Sequence, residues 1–338
     1  MIDVRVLLAV HDSFFAHDTG AWHPERPDRI TAAVRGVEGS GAHVVRLEPP
    51  QIALEDLYPV HDVSYVREIR DFCAAGGGSL DADTFASEAS WEAALRSAGA
   101  GLAAVEALRS DDADTAFLAV RPPGHHALTA RAMGFCLFNN IAVAAEAIVA
   151  AGERVAIFDW DVHHGNGTQD HFYDRDDVLY VSAHEFPFYP GSGWLTEDGD
   201  GAGSGMNVNI PFPASTAGDA YDLAMDDLVM PLLKQFDPDW VLVSAGYDAH
   251  ASDPLADLRL ESPDYGRMAA RIAGLAGPSR VVCFLEGGYD LGAIEASVVA
   301  TVRGLGGEVP ERGELTSPTR SFQMLELAAE RVAESWTL

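Results

Sequence analysis

Two aspartates and two histidines are crowded into the segment Asp159–Gly167, whose sequence is DWDVHHGNG. An apolar run, residues 154–158, precedes it and is typical of a buried parallel strand. Ligands in open α/β sheets bind at the carboxyl edge of the strands. Asp161 and His163 lie two positions apart and would project to one side of an extended chain. This pattern of carboxylate and imidazole predicts a site for a divalent metal ion.

Three further segments with reactive side chains each follow a predicted strand. They are Pro122–His126 (PPGHH), Gly246–Asp248 (GYD) and Glu286–Tyr289 (EGGY). Any one of them could be purely structural, because an aspartate after a strand often caps a helix and a Gly-Gly pair often forms a turn. Taken together with DWDVHHGNG, they predict one chemically complementary site at a single edge of the sheet.

The trio Asp161, His163 and Asp248 would supply three protein ligands and leave coordination positions open for water and substrate. Two oxygens and one nitrogen suit Zn²⁺, and they would also accept Fe²⁺ or another first-row ion, so the sequence does not choose the metal. His163 considered alone could equally be a buried core imidazole. A coordinated water with a pKa of ~7 would be a nucleophile at neutral pH, which predicts metal-assisted hydrolysis.

The adjacent His125 and His126 suggest a division of labour, in which one imidazole takes the proton of the attacking water and the other tunes the nearby charge. Each imidazole needs an acceptor that sets its tautomer, and Asp159 and Asn166 are the candidates. Tyr289 could donate its hydroxyl to the oxyanion of a tetrahedral intermediate. These parts together predict amide hydrolysis.

Composition limits the remaining possibilities. The 338 residues are 48% hydrophobic, which favours one large α/β domain over residues 1–338, with a core at about 6–305 and a helical tail at 306–338. The net charge of −30 disfavours nucleic acid and anionic membranes as partners. The N-terminal apolar stretch is too short to span a membrane and lacks a cleavage region. With three unpaired cysteines, a soluble protein of the reducing cytoplasm is expected.

The acidic charge allows two interpretations that the sequence does not separate. Only Lys234 among the 22 basic residues is a lysine, which is typical of a GC-rich genome and also of a salt-rich cytosol. An acidic surface would in addition attract a cationic substrate.

The elements that must hold these side chains follow from the hydrophobic pattern. Strands are predicted at residues 4–10, 43–47, 115–120, 155–158, 178–182, 206–210, 240–244 and 281–285. Helices are predicted at residues 90–108, 141–151, 220–233, 263–275 (with Ser262 as its N-cap) and 322–336, and residues 306–318 read as irregular. Strands that alternate with helices indicate a parallel sheet covered on both faces.

The chain resembles the zinc-dependent histone deacetylase superfamily, which includes the acetylpolyamine amidohydrolases. The resemblance covers roughly Val6 to Leu305 and rests on six motifs in the family's order: HPERP (residues 23–27), RPPGHHA (121–127), GFCLFNN (134–140), DWDVHHGNG (159–167), GYDA (246–249) and EGGY (286–289). It implies a three-layer α/β/α arginase-deacetylase fold with a mostly parallel eight-stranded sheet.

The resemblance also implies roles for individual residues. Asp161, His163 and Asp248 match the zinc ligands, and Tyr289 matches the tyrosine that stabilises the transition state. His126 would be the general base. His125 would be its electrostatic partner, paired with Asp159, and Asn166 would face His126. Asparagine at that position, and Pro-Pro-Gly before the histidines, are similar to the class II and bacterial branch.

Further positions match the family's substrate tunnel and its potassium sites. The tunnel would be formed by Gly134, Phe135, Tyr189 and Leu255. Without the resemblance, both aromatic residues could equally be core packing. Structural K⁺ would bind at two sites: Asp159, Asp161, His163, Ser182 and Ala183 form the first, and Phe172, Arg175 and Val178 the second. Asp81, Asp83 and Glu25 are expected at the rim of the tunnel.

The sequence therefore predicts an enzyme that removes acetyl, or a similar short acyl group, from a primary amine such as a lysine side chain of a peptide or protein. Acetylpolyamines are the alternative substrate. Leu255 argues against them, because the polyamine-selective relatives carry an acidic gatekeeper there. A non-catalytic acyl-amine-binding module and an arginase-like dinuclear hydrolase are the alternatives of other classes. A homo-oligomer is compatible with the sequence.

Overall fold

The centre of the fold is an eight-stranded sheet in which every neighbouring pair of strands is parallel. The structure is a computed structural model and describes residues 2–277 and 279–338. The strands of the sheet are β1 (Arg5–Ala9), β2 (His43–Leu47), β5 (Thr115–Leu118), β6 (Val155–Asp159), β7 (Val178–Glu185), β8 (Asn207–Phe212), β9 (Trp240–Ala245) and β10 (Val281–Leu285), while β3 (Gly77–Ser79) and β4 (Phe85–Ser87) form a separate antiparallel hairpin. All eight strands predicted from the sequence are confirmed.

Helices cover the sheet and complete the three-layer α/β/α fold. They are α1 (Ser13–Ala16), α2 (Asp28–Gly39), α3 (Leu54–Leu57), α4 (Val63–Ala74), α5 (Ser90–Arg109), α6 (Asn140–Ala150), α7 (Asn166–Phe172), α8 (Gly218–Ala224), α9 (Met230–Phe236), α10 (Ser262–Ala276), α11 (Leu291–Leu305) and α12 (Thr319–Val332). One group consists of α2, α10 and α11, which pack on one another, and α5 packs on α6. Within the described residues, no helix is long and apolar enough to cross a bilayer.

The strand order places four candidate segments side by side. The sheet runs β2-β1-β5-β10-β9-β6-β7-β8, so that β5, β10, β9 and β6 are consecutive neighbours. Each residue of these four strands is buried. PPGHH, EGGY, GYD and DWDVHHGNG follow these strands in that order, so their side chains meet at one carboxyl edge.

The predicted helix at residues 220–233 is instead divided into three parts. A π-helical segment, Met225–Val229, separates α8 from α9. Pro231, in the first turn of α9, has no N–H for a bond to the preceding turn, which accounts for the interruption there.

Ser262 was the wrong N-cap for α10, since it is the first residue of the helix. Glu261 is the N-cap, because its side chain accepts from the backbone of Asp264, whose carboxylate in turn accepts from the Glu261 N–H. This reciprocal capping box satisfies two backbone donors, which a single serine hydroxyl at residue 262 would not. Among the described elements, the hydrophobic pattern did not indicate the β3-β4 hairpin or the helices α1, α2, α3, α4, α7 and α11.

Gly36 marks the closest approach of α2 to α11. A Cβ added there would lie 2.6 Å from Val298 Cβ and 2.7 Å from Glu295 O, whereas a Cβ on Gly39 of the same helix would meet only Val299 Cγ2 at 3.7 Å. The small residue therefore lets the two helices pack backbone against side chain.

Gly36→Ala should lower the free energy of unfolding by about 1–2 kcal/mol, because the cost of overpacking exceeds the gain in helix propensity. Gly39→Ala is the matched control and should be neutral or slightly stabilising. Urea unfolding of both variants checks this, and equal effects of the two substitutions would contradict the packing argument.

Candidate active site

The three predicted metal ligands converge at the carboxyl edge of the sheet. Asp161, His163 and Asp248 each place one ligand atom within 4.8 Å of the other two. His163 Nδ1 is 3.1 Å from Asp161 Oδ1 and 3.1 Å from Asp248 Oδ2. Both aspartates are completely buried. Two buried carboxylates that face one imidazole form a donor set suited to a divalent cation.

Backbone groups hold the two carboxylates in place. Asp161 Oδ2 accepts from the Gly287 N–H at 2.7 Å, and Asp248 Oδ1 accepts from the Val162 N–H at 2.9 Å. A Cβ on Gly246 would collide with Asp161 Oδ2, and one on Gly287 would collide with Asp248 Oδ2. Gly246 and Gly287 are therefore required by space, whereas Gly288 also adopts a φ of +113°, a conformation that favours glycine.

The tandem histidines point to different acceptors. His125 Nδ1 lies 3.0 Å from Asp159 Oδ2, and His126 Nδ1 lies 2.8 Å from Asn166 Oδ1. Asn166 Oδ1 can only accept, so His126 carries its proton on Nδ1 and leaves Nε2 free as an acceptor. The rings remain close, with centroids 4.0 Å apart.

The surroundings of the two imidazoles shift their pKa values in opposite directions. Burial opposes the charged form of His125, but the nearby charges of Asp159 and Asp161 raise its pKa to about 10. Burial, followed by the positive charges of His125 and His163, lowers the pKa of His126 well below its ordinary value. The pair therefore consists of a cationic imidazole beside a neutral one.

A cavity of about 230 Å³ opens beside the candidate metal ligands. All four predicted tunnel residues line it: Gly134, Phe135, Tyr189 and Leu255. Gly134 has a φ of +55°, and a Cβ there would collide with the ring of His126. The rings of Phe135 and Tyr289 meet edge to face, with centroids 5.9 Å apart. Asp161 and His163 lie on the same lining, so the cavity leads to the candidate metal site.

Tyr289 is held at this cavity from two sides. Its N–H donates to Asp253 Oδ2 at 2.6 Å, and the guanidinium of Arg29 lies 5.1 Å from the centre of its ring. Burial and the charge of Asp248 raise the pKa of the Tyr289 hydroxyl well above its usual value, so the phenol stays protonated and can donate.

Glu25 does not lie at the rim, contrary to expectation. It is fully buried between Arg121 and Arg29, and Arg29 Nη1 is 2.9 Å from Glu25 Oε1. The side chain of Arg29 also donates to the carbonyl of Gly288 at 2.6 Å, so this cluster supports the backbone of EGGY from behind. Asp83 does line the cavity. Sequence reasoning missed Arg29, because nothing in its local pattern marks a buried arginine.

The residues assigned to potassium lie in two places beside the site. Asp159, the last residue of β6, is the register partner of Ser182 within β7. Asp161 and His163 follow two and four residues after Asp159, and Ala183 is the next residue of β7. Phe172, Arg175 and Val178 lie between the end of α7 and the start of β7, where the Arg175 N–H donates to the Phe172 carbonyl at 3.2 Å.

Comparison with known proteins agrees with this geometry. Residues 23–305 match the family model of the histone deacetylase domain. A histone deacetylase-like amidohydrolase of Pseudomonas aeruginosa is 40% identical over 312 residues, which are 89% of this chain and 81% of the relative. A probable deacetylase of Archaeoglobus fulgidus is 36% identical over 309 residues, covering 89% of this chain and 86% of the relative. The crystal structure of the HDA15 HD domain matches with a TM-score of 0.92 and 34% identity, over 98% of this chain and 96% of that one.

The buried Glu25 cluster gives a pH-dependent contribution to stability. Burial alone would raise the pKa of Glu25, but Arg121 and Arg29 lower it from 4.5 to about 2. Because the pKa is depressed in the fold, the stabilisation is complete above pH 4.5 and is lost as the pH falls toward 2.

Glu25→Gln should therefore reduce the free energy of unfolding by about 3 kcal/mol at pH 7, since two buried guanidinium groups lose their counter-charge. The difference from the unchanged protein should shrink below pH 4.5. Glu38→Gln is the control, because Glu38 pairs with Arg46 while 48% exposed, and it should have little effect. Denaturant titrations from pH 7 to pH 3 measure both, and a pH-independent loss would refute the charge argument.

Proposed function

This chain belongs to the histone deacetylase family, and from that premise we propose that it is a metal-dependent amidohydrolase that removes acetyl or short acyl groups from N-acylated primary amines. One observation carries the proposal. Two of the three convergent candidate ligands, Asp161 and His163, line the same cavity as the imidazole of His126 and the phenol of Tyr289, and Asp248 lies within 4.8 Å of those two ligands. These are the parts that hydrolysis of an amide requires.

Asp161, His163 and Asp248 would hold the metal. One imidazole nitrogen and two carboxylate oxygens suit Zn²⁺, and Fe²⁺ is an alternative with the same donors. When bound, such an ion would acidify a water molecule and polarise the acyl carbonyl. Structural K⁺ at the two sets of residues beside β7 belongs to the same proposal, because it would brace the loop that carries these ligands.

The chain's own side chains would handle protons and charge. His126, whose Nδ1–H is engaged by Asn166, would accept the proton of the attacking water at Nε2 and deliver it to the departing amine. His125, kept cationic by Asp159, would stabilise negative charge beside it. Tyr289 would donate a hydrogen bond to the oxyanion of the tetrahedral intermediate.

The cavity walls favour a long aliphatic stem as the part of the substrate that enters. Phe135 and Tyr189 present apolar ring faces on its lining, and Gly134 lets the backbone pass close to His126. Acetyl-lysine in a peptide or protein is the first candidate, because the apolar Leu255 lines the cavity where the resemblance would place an acidic gatekeeper for polyamines. Acetylpolyamines are the second candidate, favoured by the carboxylate of Asp83 on the same lining.

A substrate panel tests this proposal. After loading with Zn²⁺ or Fe²⁺, the protein should deacetylate acetyl-lysine peptides faster than acetylputrescine or acetylspermidine, and a chelator should abolish turnover. Tyr289→Phe should reduce kcat by roughly 10²–10³-fold. Tyr58→Phe, outside the cavity lining, is the matched control. No turnover of any acetylated amine would instead support a binding module, and two metal ions per chain would support the dinuclear alternative.

The roles proposed for His126 and Asp248 predict different effects when each residue is replaced by alanine. His126→Ala should reduce kcat by roughly 10²–10⁴-fold and leave the bound metal close to one ion per chain, since His126 is a proton acceptor and not a ligand. Asp248→Ala should lose both activity and metal. Elemental analysis of the purified variants, run beside the rate assay, separates the two. Near-normal turnover by His126→Ala would remove it as the general base.

A further inference from the structure

The carboxylate of Glu286 is buried at the end of β10 and has no role in the mechanism above. Its side chain is fully inaccessible, and Lys or Arg side chains are not among the described partners of its two carboxylate oxygens. Oε2 accepts from the Gly124 N–H at 2.7 Å and from the His125 N–H at 3.2 Å. Oε1 has no partner among the described residues. Burial of a carboxyl group is costly, so its two backbone contacts call for an explanation.

Those contacts complete the anchoring of His125. Its carbonyl accepts from the N–H groups of Gly167 and Thr168, at 3.0 and 3.2 Å, and its imidazole faces Asp159. The amide side of the same residue is held by Glu286. The backbone that presents both tandem imidazoles is therefore fixed from β10 on one side and from the start of α7 on the other.

Glu286 also begins the segment that ends in Tyr289. Its own carbonyl accepts from the side chain of Arg29, which in addition holds the Gly288 carbonyl. One residue thus contacts the segment of the proton acceptor through its side chain and fixes the segment of the phenol through its backbone.

We propose that Glu286 is a positioning residue whose carboxylate oxygen sets the distance between the tandem histidines and Tyr289, so that both reach the same acyl carbonyl. This inference rests on the proposed function. It concerns the placement of an acceptor and not its charge. A glutamine can keep that placement, because its carbonyl oxygen can take the position of Oε2 while its amide takes that of the unpartnered Oε1. An aspartate keeps the charge but withdraws the oxygen by one methylene.

The test compares Glu286→Gln with Glu286→Asp in the metal-loaded protein. We expect Glu286→Gln to keep kcat within about 3-fold, and Glu286→Asp to lose roughly 10–100-fold in kcat with KM within about 3-fold, since misplacement by about 1 Å affects the reacting geometry more than substrate binding. Metal content should stay unchanged in both variants. Glu153→Asp, at the opposite edge of the sheet before β6, is the control for shortening a glutamate and should not affect turnover.

Four outcomes would overturn the inference: both variants at the unchanged rate, both variants inactive, Glu286→Asp more active than Glu286→Gln, or a change confined to KM. The ring NMR signals of His125 and His126 provide a readout that does not need turnover, and they should shift in Glu286→Asp but not in Glu286→Gln. If the protein without substitutions were inactive, the proposed function would be wrong. The NMR comparison would still decide the role of Glu286.

Discussion

Buried negative charge at one edge of the sheet is the constraint on which the rest of the structure depends. Asp159, Asp161, Asp248 and Glu286 are all fully buried, and their hydrogen-bond partners are backbone amides, a tyrosine hydroxyl and imidazoles. Carboxylates in such a position need cationic compensation. A protonated His125 supplies part of it, and the proposed divalent ion would supply the rest.

The buried carboxylates also explain why the adjacent His125 and His126 have different pKa values. His125 faces two carboxylates and is held cationic, whereas His126 faces a neutral amide, and burial and the charge of His125 lower its pKa. An imidazole that stays neutral at physiological pH can accept a proton, and a cationic one cannot. The arrangement of charged groups therefore gives two histidines that are neighbours in the chain different abilities to accept a proton.

Behind the reactive groups, a second set of buried charges fixes the backbone. Glu25 pairs with both Arg29 and Arg121, and Arg29 also donates to the carbonyls of Glu286 and Gly288, which precede Tyr289. The glycines on either side of the metal ligands leave the room that these close contacts need, as at Gly287 against Asp248. The backbone of the site is thus held in part by Glu25, Arg29 and Arg121, which lie outside the cavity lining.

The sequence by itself determined the parallel sheet, whose strands are continuous apolar runs, and it identified the segments that carry reactive side chains, because carboxylates and imidazoles after such runs are a local signal. It also predicted the residues that line the cavity, through motif resemblance. The tertiary structure alone decided the strand order β5-β10-β9-β6 that brings four distant segments together. It likewise placed Glu25 in the interior rather than at the rim. The cap at Glu261 and the interruption before Pro231 are local features that the hydrophobic pattern alone does not record. The strand order and the burial of Glu25, by contrast, depend on contacts between residues far apart in the chain, and no local pattern encodes which distant partner a buried charge or a strand will meet.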